Sequence, residues 1–358
     1  MRVVLRIALV CFSFALVFGV FELILRARGA ESPWLHFGSP RVYRADPDLI
    51  YSLRPGGALD TNSLGLRGPE ISANPRGPRL IALGDSYTYG HELEYASSYP
   101  ALLEEVLEGR EPWGADVEVI NAGVPGYNVD QAYTLFVRQL QELNPDWVVL
   151  VIEPKDLAGA NVLYDFDGEQ WGPVPAWKNW IYLQLKLRSV VPEALKESRV
   201  YGFVAGYLTG SDPFGTLPES DRDAQAEWQI EKIGWMVEDL VSRGRERGFE
   251  VLVVFYPDRP ALVHGGDYSK SGYFDLPFLI LGARGNEHMA RLQEVVDGSG
   301  AQTLDAMQVF LRRQASGLDV ESLYLDGDPH MNERGNRFLA EVIAGALGSA
   351  MERTENER

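Results

Sequence analysis

Apolar residues fall along this chain in three regimes. At the N-terminus, Arg2 and Arg6 introduce an unbroken apolar run over residues 7–21, resumed by residues 23–25 after Glu22. The run has no polar face at helical spacing, so it suits lipid better than the flank of a soluble core. Residues 3–25 are long enough to cross a hydrocarbon layer of about 30 Å with Arg6 and Glu22 near its edges. Residues 31–78 follow, rich in Pro, Gly and Arg and without sustained periodicity, and read as a linker and irregular extension. From Arg79 the pattern alternates. Short apolar runs predict strands at 79–84, 117–121, 147–152, 251–256 and 302–304, while helical spacing predicts helices at 98–107, 129–143, 222–247, 286–296 and 333–347. The run at 147–152 is apolar throughout, as in a strand buried on both faces.

Strands separated by helices of this length pair in parallel through right-handed crossovers, which predicts a doubly wound α/β sandwich. Sites in such sheets form beyond the carboxyl ends of the strands. Residues 79–349 are the expected globular domain, with 158–217 as an inserted subregion and 350–358 as a polar tail. The insertion carries Trp171, Trp177, Trp180, Tyr182, Tyr201, Phe203 and Tyr207, which either shape a cleft, lie against a membrane or only pack.

The N-terminus reads as an uncleaved signal anchor or a removable signal peptide. Ala27 and Gly29 offer a processing site, whereas Arg26 and Arg28 beside them favour the anchor. Either reading sends residues 31–358 out of the cytoplasm, to the periplasm or cell surface. The net charge of −18 excludes nucleic acid as the main partner, since phosphate backbones need a surplus of Lys and Arg. Hydrophobic content of 46% with 23% charged residues is that of a chain that folds around a core. Cys11 is the only cysteine and lies in the apolar run, so neither an intrachain disulfide nor a Cys-based metal site can be built.

Leu83-Gly-Asp-Ser-Tyr87 follows the first alternating-region strand directly. A serine there stands at the mouth of the sheet, its hydroxyl toward substrate and its backbone N–H toward an oxyanion. Gly-Asp-Ser by itself is a common turn, and a serine nucleophile needs a base. The sequence has five histidines. His36 lies near the linker, and His91, His264 and His288 lack a companion carboxylate at a strand end. His330 sits in Leu325-Asp-Gly-Asp-Pro-His-Met-Asn332, just before the last predicted helix. Asp328, two residues away, can accept one ring N–H and fix the tautomer, leaving the other nitrogen for Ser86.

With Asn121-Ala-Gly-Val-Pro-Gly126 after the second of these strands, the blocks occur in an order that resembles the SGNH/GDSL hydrolase family over residues 79–349. The helix start Tyr99-Pro-Ala-Leu-Leu103 is similar to that family's, and Asn62-Ser-Leu-Gly-Leu-Arg67 resembles its membrane-anchored bacterial members. The resemblance implies a flavodoxin-like three-layer α/β/α sandwich, preceded here by one transmembrane helix, with no metal or organic cofactor. It makes Ser86 the nucleophile and His330 the base, gives Gly126 a backbone N–H in the oxyanion hole, and has Asn121 supporting that loop.

Two departures stand out. The family's third block is Gly-x-Asn-Asp, whose Asn donates to the oxyanion; this chain has Glu153-Pro-Lys-Asp156. Losing such a donor costs about 3–4 kcal/mol of transition-state stabilisation. Lys155 either replaces it with an ammonium or leaves the site weakened, and Asn161 is near enough in sequence to reach in. The acid is the second departure. The common spacing Asp-x-x-His would fall on Gly327, so Asp328 is expected to serve, as in the Asp-x-His variant of bacterial polysaccharide O-acetyl enzymes, with Asp326 in reserve. The expectation is an extracytoplasmic serine esterase or deacylase acting on a small ester or an acylated glycan or lipid. The alternatives are an O-acyltransferase on envelope or exported polysaccharide, and a non-catalytic binding module of the same fold.

Overall fold

The computed structural model describes residues 13, 16–24, 42–56, 60–158, 163–175, 182, 186, 219–271, 281 and 283–357. The chain forms two units, residues 1–52 with 176–213 and residues 53–175 with 214–358. In the first unit, residues 16–24 are helical, with Leu16, Val17, Leu23 and Ile24 exposed. Strand β1 (Tyr43–Asp46) pairs with β2 (Ile50–Leu53), whose last residue opens the second unit. Asp46 shapes the turn between them, its Oδ1 accepting the N–H groups of Asp48 and Leu49 at 3.0 and 3.1 Å. Among the described residues no helix is long and apolar enough to cross a membrane. Much of the expected span 3–25 lies outside the described residues, as do Cys11, His36, Asn161, Trp177, Trp180, Tyr201, Phe203 and Tyr207.

The second unit is built on strands β3 (Arg79–Gly84), β4 (Glu118–Gly123), β5 (Trp147–Ile152), β8 (Glu250–Phe255) and β9 (Gln302–Asp305). They form one sheet in the order β4-β3-β5-β8-β9, with every neighbouring pair parallel. The chain reverses direction across the sheet at β3, which places a switch-point crevice beyond Gly84. Strands β3 and β5 are buried at every position, so both faces of the sheet need covering. The helices are α1 (Ser86–Tyr89), α2 (Tyr99–Leu107), α3 (Val129–Arg138), α4 (Glu219–Arg247), α5 (Arg259–Val263), α6 (Gly285–Gly298), α7 (Ala306–Ala315) and α8 (Glu333–Glu357). Helices α2 and α7 pack on α8, and α3 and α6 pack on α4.

One bond ties the two halves of the future site together. The Asn336 Oδ1 of α8 accepts the Tyr99 N–H that opens α2, at 2.9 Å. The segment before α8 is thereby held beside the segment that follows β3.

Several elements differ from the sequence expectation. Helix α7 was not expected; it starts at once after β9, where Asp305 caps it by accepting the Gln308 N–H at 3.0 Å. Helix α8 runs on through residues read as a polar tail. The inserted subregion contains an antiparallel hairpin, β6 (Tyr164–Phe166) with β7 (Trp171–Pro173). Residues 60–68, read as irregular extension, fold around the buried Arg67, which bridges to Asn121 of β4.

Candidate active site

Backbone geometry presents Ser86. A Cβ on Gly84 would lie 2.2 Å from Thr88 Oγ1, so only glycine lets the chain turn this tightly from β3 into α1. Asp85 caps the turn, its Oδ1 accepting the Tyr87 N–H at 2.9 Å. The helix lasts one turn and ends at Gly90 with φ +81°, and the N–H groups of Gly90 and His91 both donate to the Ser86 carbonyl at 3.0 Å. Arg67 braces this terminus. Its guanidinium donates to the carbonyls of Tyr89 at 2.6 Å, of Gly90 at 2.7 Å and of Leu93, and lies over the Tyr89 ring. Asn121 supports the same turn from β4, donating to the Tyr89 carbonyl and Ser98 Oγ while its Oδ1 accepts the Gly123 N–H.

The segment before α8 brings in the imidazole. The Leu325 N–H donates to the His330 carbonyl at 2.9 Å, and Gly327 takes φ +69° between them. Arg259, at the start of α5, donates to the carbonyls of Leu325 and Asp328 at 3.1 and 2.6 Å and holds this loop from β8's end of the sheet. Asp328 Oδ1 accepts the His330 backbone N–H at 2.8 Å and lies 2.5 Å from ring Nδ1. Ring Nε2 lies 2.8 Å from Ser86 Oγ. With Nδ1–H donating to the carboxylate, Nε2 is the acceptor of the serine O–H. Asp326 is exposed, and the ring faces Asp328 instead.

Gly126 lies in the turn Val124-Pro-Gly-Tyr127, closed by the Tyr127 N–H donating to the Val124 carbonyl at 3.0 Å. Pro at the second position and Gly126 at φ +81° are the demands of a type II turn. Asn128 then caps α3 by accepting the Gln131 N–H.

Lys155 is drawn to carboxylates. Its ammonium lies 2.8 Å from Asp85, 3.4 Å from Glu153 and 3.7 Å from Asp156, and donates to the Tyr127 carbonyl at 3.1 Å. An ammonium has three N–H groups, so donation to an oxyanion would require giving up one of these partners. The geometry makes Lys155 a tie among the loops after β3, β4 and β5. Burial acts to raise the Asp85 carboxyl, but the Lys155 ammonium and hydrogen bonds from Glu153 and the Tyr87 N–H outweigh it and hold Asp85 below the ordinary value. Burial, then the charge of Asp85, pushes Glu153 well above the ordinary glutamate value.

Sequence reasoning missed Arg67, Arg259 and the rings around His330. The imidazole neighbours the rings of Tyr87 and His91, and Tyr256 in turn neighbours Tyr87. Only the spacing of Tyr87 and His91, four residues apart just after Ser86, hinted at this. The group can relay a proton from a serine hydroxyl to an imidazole oriented by a carboxylate, the requirement for attack on a carbonyl.

A sequence model of the GDSL-like lipase/acylhydrolase family matches residues 82–338. No curated protein sequence matches the chain. Solved structures similar to it include a G-D-S-L family lipolytic protein from Desulfitobacterium hafniense, at 12% identity over 75% of this chain and 98% of that one, TM-score 0.41. An acetyl xylan esterase is 17% identical over 75% of this chain and 99% of its own, TM-score 0.42. An acetylxylan esterase from Geobacillus stearothermophilus is 14% identical over 76% and 94%, TM-score 0.41.

Proposed function

This chain belongs to the GDSL-like lipase/acylhydrolase family and acts on ester bonds, and from that premise we propose an acyl-serine mechanism with Ser86 as nucleophile, His330 as base and Asp328 as its orienting acid. One observation carries the reading: Ser86 Oγ, His330 and Asp328 form a continuous relay, 2.8 Å on one side of the ring and 2.5 Å on the other. His330 Nε2 takes the serine proton as Oγ bonds to the ester carbonyl carbon. The backbone N–H groups of Ser86 and Gly126 hold the resulting oxyanion. The C–O bond to the alcohol then breaks and His330 returns the proton to the leaving oxygen. Water repeats the cycle on the acyl-serine and releases the acid; a sugar hydroxyl in place of water would give acyl transfer.

A fluorophosphonate probe is expected to label the wild type at Ser86 and to leave Ser86→Ala unlabelled. Equal labelling of both, or none of an active wild type, would overturn the assignment. The domain is proposed to work outside the cytoplasm, tethered by residues 3–25. The charge-free run at 7–21 and the exposed apolar side chains of residues 16–24 support this. Protease added to spheroplasts is expected to cut the tethered domain, and full protection would contradict the placement.

A further inference from the structure

The turn that carries Ser86 also carries two rings that the acyl-transfer steps do not use. Tyr87 and His91 follow the serine, and the His330 ring neighbours both, 4.6 Å from Tyr87 and 4.5 Å from His91, with interplanar angles of 32° and 40°. Tyr256 backs Tyr87 at 4.3 Å. Tyr87 and Tyr256 are buried, so the imidazole has a fixed neighbour on that side. His91 is half-buried and is the second ring beside the imidazole. It is set there by the backbone, because its N–H donates to the Ser86 carbonyl as the chain leaves α1.

We propose, taking Ser86 and His330 as nucleophile and base, that His91 is a positioning residue whose neutral ring clamps the His330 imidazole against Tyr87 and keeps Nε2 aimed at Ser86 Oγ through both proton transfers. The need for a clamp follows from the geometry. The Asp328 bond fixes the ring at Nδ1 alone, and a ring held at one edge can still tilt its far nitrogen off the serine. Rings packed beside it on Tyr87 and His91 restrict that freedom.

The charge state of His91 matters because His330 becomes an imidazolium during each transfer. A neutral aromatic face beside a cation is favourable, whereas a second imidazolium at 4.5 Å would repel it. The groups facing His91 are His330, Glu92, Asp328 and Asp85; burial, then His330, outweighs the three carboxylates and holds His91 below the ordinary imidazole value. Burial and the neighbouring imidazole thus favour the neutral form of the His91 ring.

The test uses the full-length enzyme, a chromogenic ester and a fluorophosphonate probe. His91→Ala is expected to lower kcat by about 10- to 100-fold with KM nearly unchanged, the range that a misplacement of about 1 Å produces. His91→Phe restores a flat neutral ring and is expected to recover most of that loss. His91→Lys is expected to lower kcat and to move the acid limb of kcat/KM to lower pH, because a fixed cation disfavours the imidazolium. A side chain that only fills space would not shift that limb. Wild-type kcat and an unmoved acid limb in both the Ala and Lys variants, with Ser86 still taking the probe, would overturn the clamp and leave nucleophile and base standing. An active wild type that takes no probe at Ser86 would overturn the assignment on which the clamp rests, and the clamp with it.

Discussion

Lys155→Met keeps the reach of the side chain and deletes its charge. The ammonium lies within 2.8 to 3.7 Å of three carboxyl groups whose side chains are only 3 to 5% exposed. Removing one partner from a buried ion pair costs about 3–5 kcal/mol, because the remaining charge stays desolvated. The deficit depends on pH with a definite sign. In the wild type Asp85 titrates below its ordinary value, so its contribution to stability is present above that value and is lost as pH falls through the lowered one. Without the ammonium, burial is the largest influence left on Asp85 and raises it, as it already raises Glu153 and Asp156. Groups with raised values contribute stability at low pH and lose it as pH rises, so the deficit is expected to be larger at about pH 8 than at about pH 5. Chemical denaturation followed by tryptophan fluorescence at both pH values measures it. The Tyr127 carbonyl also loses its donor, and kcat is expected to fall about 100-fold as the Gly126 turn loosens. Lys155→Asn is expected to share both losses. A deficit under about 1 kcal/mol, well short of the buried-pair range, or one equal at both pH values, would refute the role of Lys155 as the tie among these loops.

Asp328→Asn is expected to lower kcat by about 10³- to 10⁴-fold, because an amide no longer selects the tautomer that leaves Nε2 as acceptor. Asp326→Asn is expected to stay near wild type, and steady-state kinetics on one ester compares the two. Arg67→Leu strips donors from the Tyr89 and Gly90 carbonyls and is expected to cost about 1–3 kcal/mol for each buried carbonyl left without a substitute partner, read as a lower Tm. Burial raises Asp258 to about 6, so its contribution to stability is present below about pH 4 and is lost as pH rises through about 6. Asp258→Asn is expected to gain on the wild type between about pH 4 and 8, by up to about 3 kcal/mol; denaturation midpoints at the two pH values check it.

Local pattern announced the sheet, because residues 80–84 of β3 and all of β5 are apolar without interruption and nothing but a covered strand accommodates that. The blocks proposed as catalytic were legible for a related reason: Gly84 and Gly327 mark tight turns, and Ser86 and Asp328 stand beside them. What could not be read was set by distant partners. Arg67 looked like one more charge in an irregular stretch, and only the folded chain offers it the carbonyls of α1. Lys155 was legible as a departure from the Asn expected there. Its environment was not, since Asp85 and Tyr127 come from two other loops. His91 has no companion carboxylate at a strand end, and its partner ring lies more than two hundred residues further along the chain. Helix α7 was missed because β9 is short and Asp305 both ends the strand and caps the helix.

Mapping the acyl group on quenched enzyme addresses the central claim most directly. Protein mixed with p-nitrophenyl acetate, stopped in acid and digested should carry acetyl on the peptide containing Ser86, and His330→Ala should carry none. Ester turnover with no covalent adduct in the wild type, or with the acetyl group on another side chain, would contradict it.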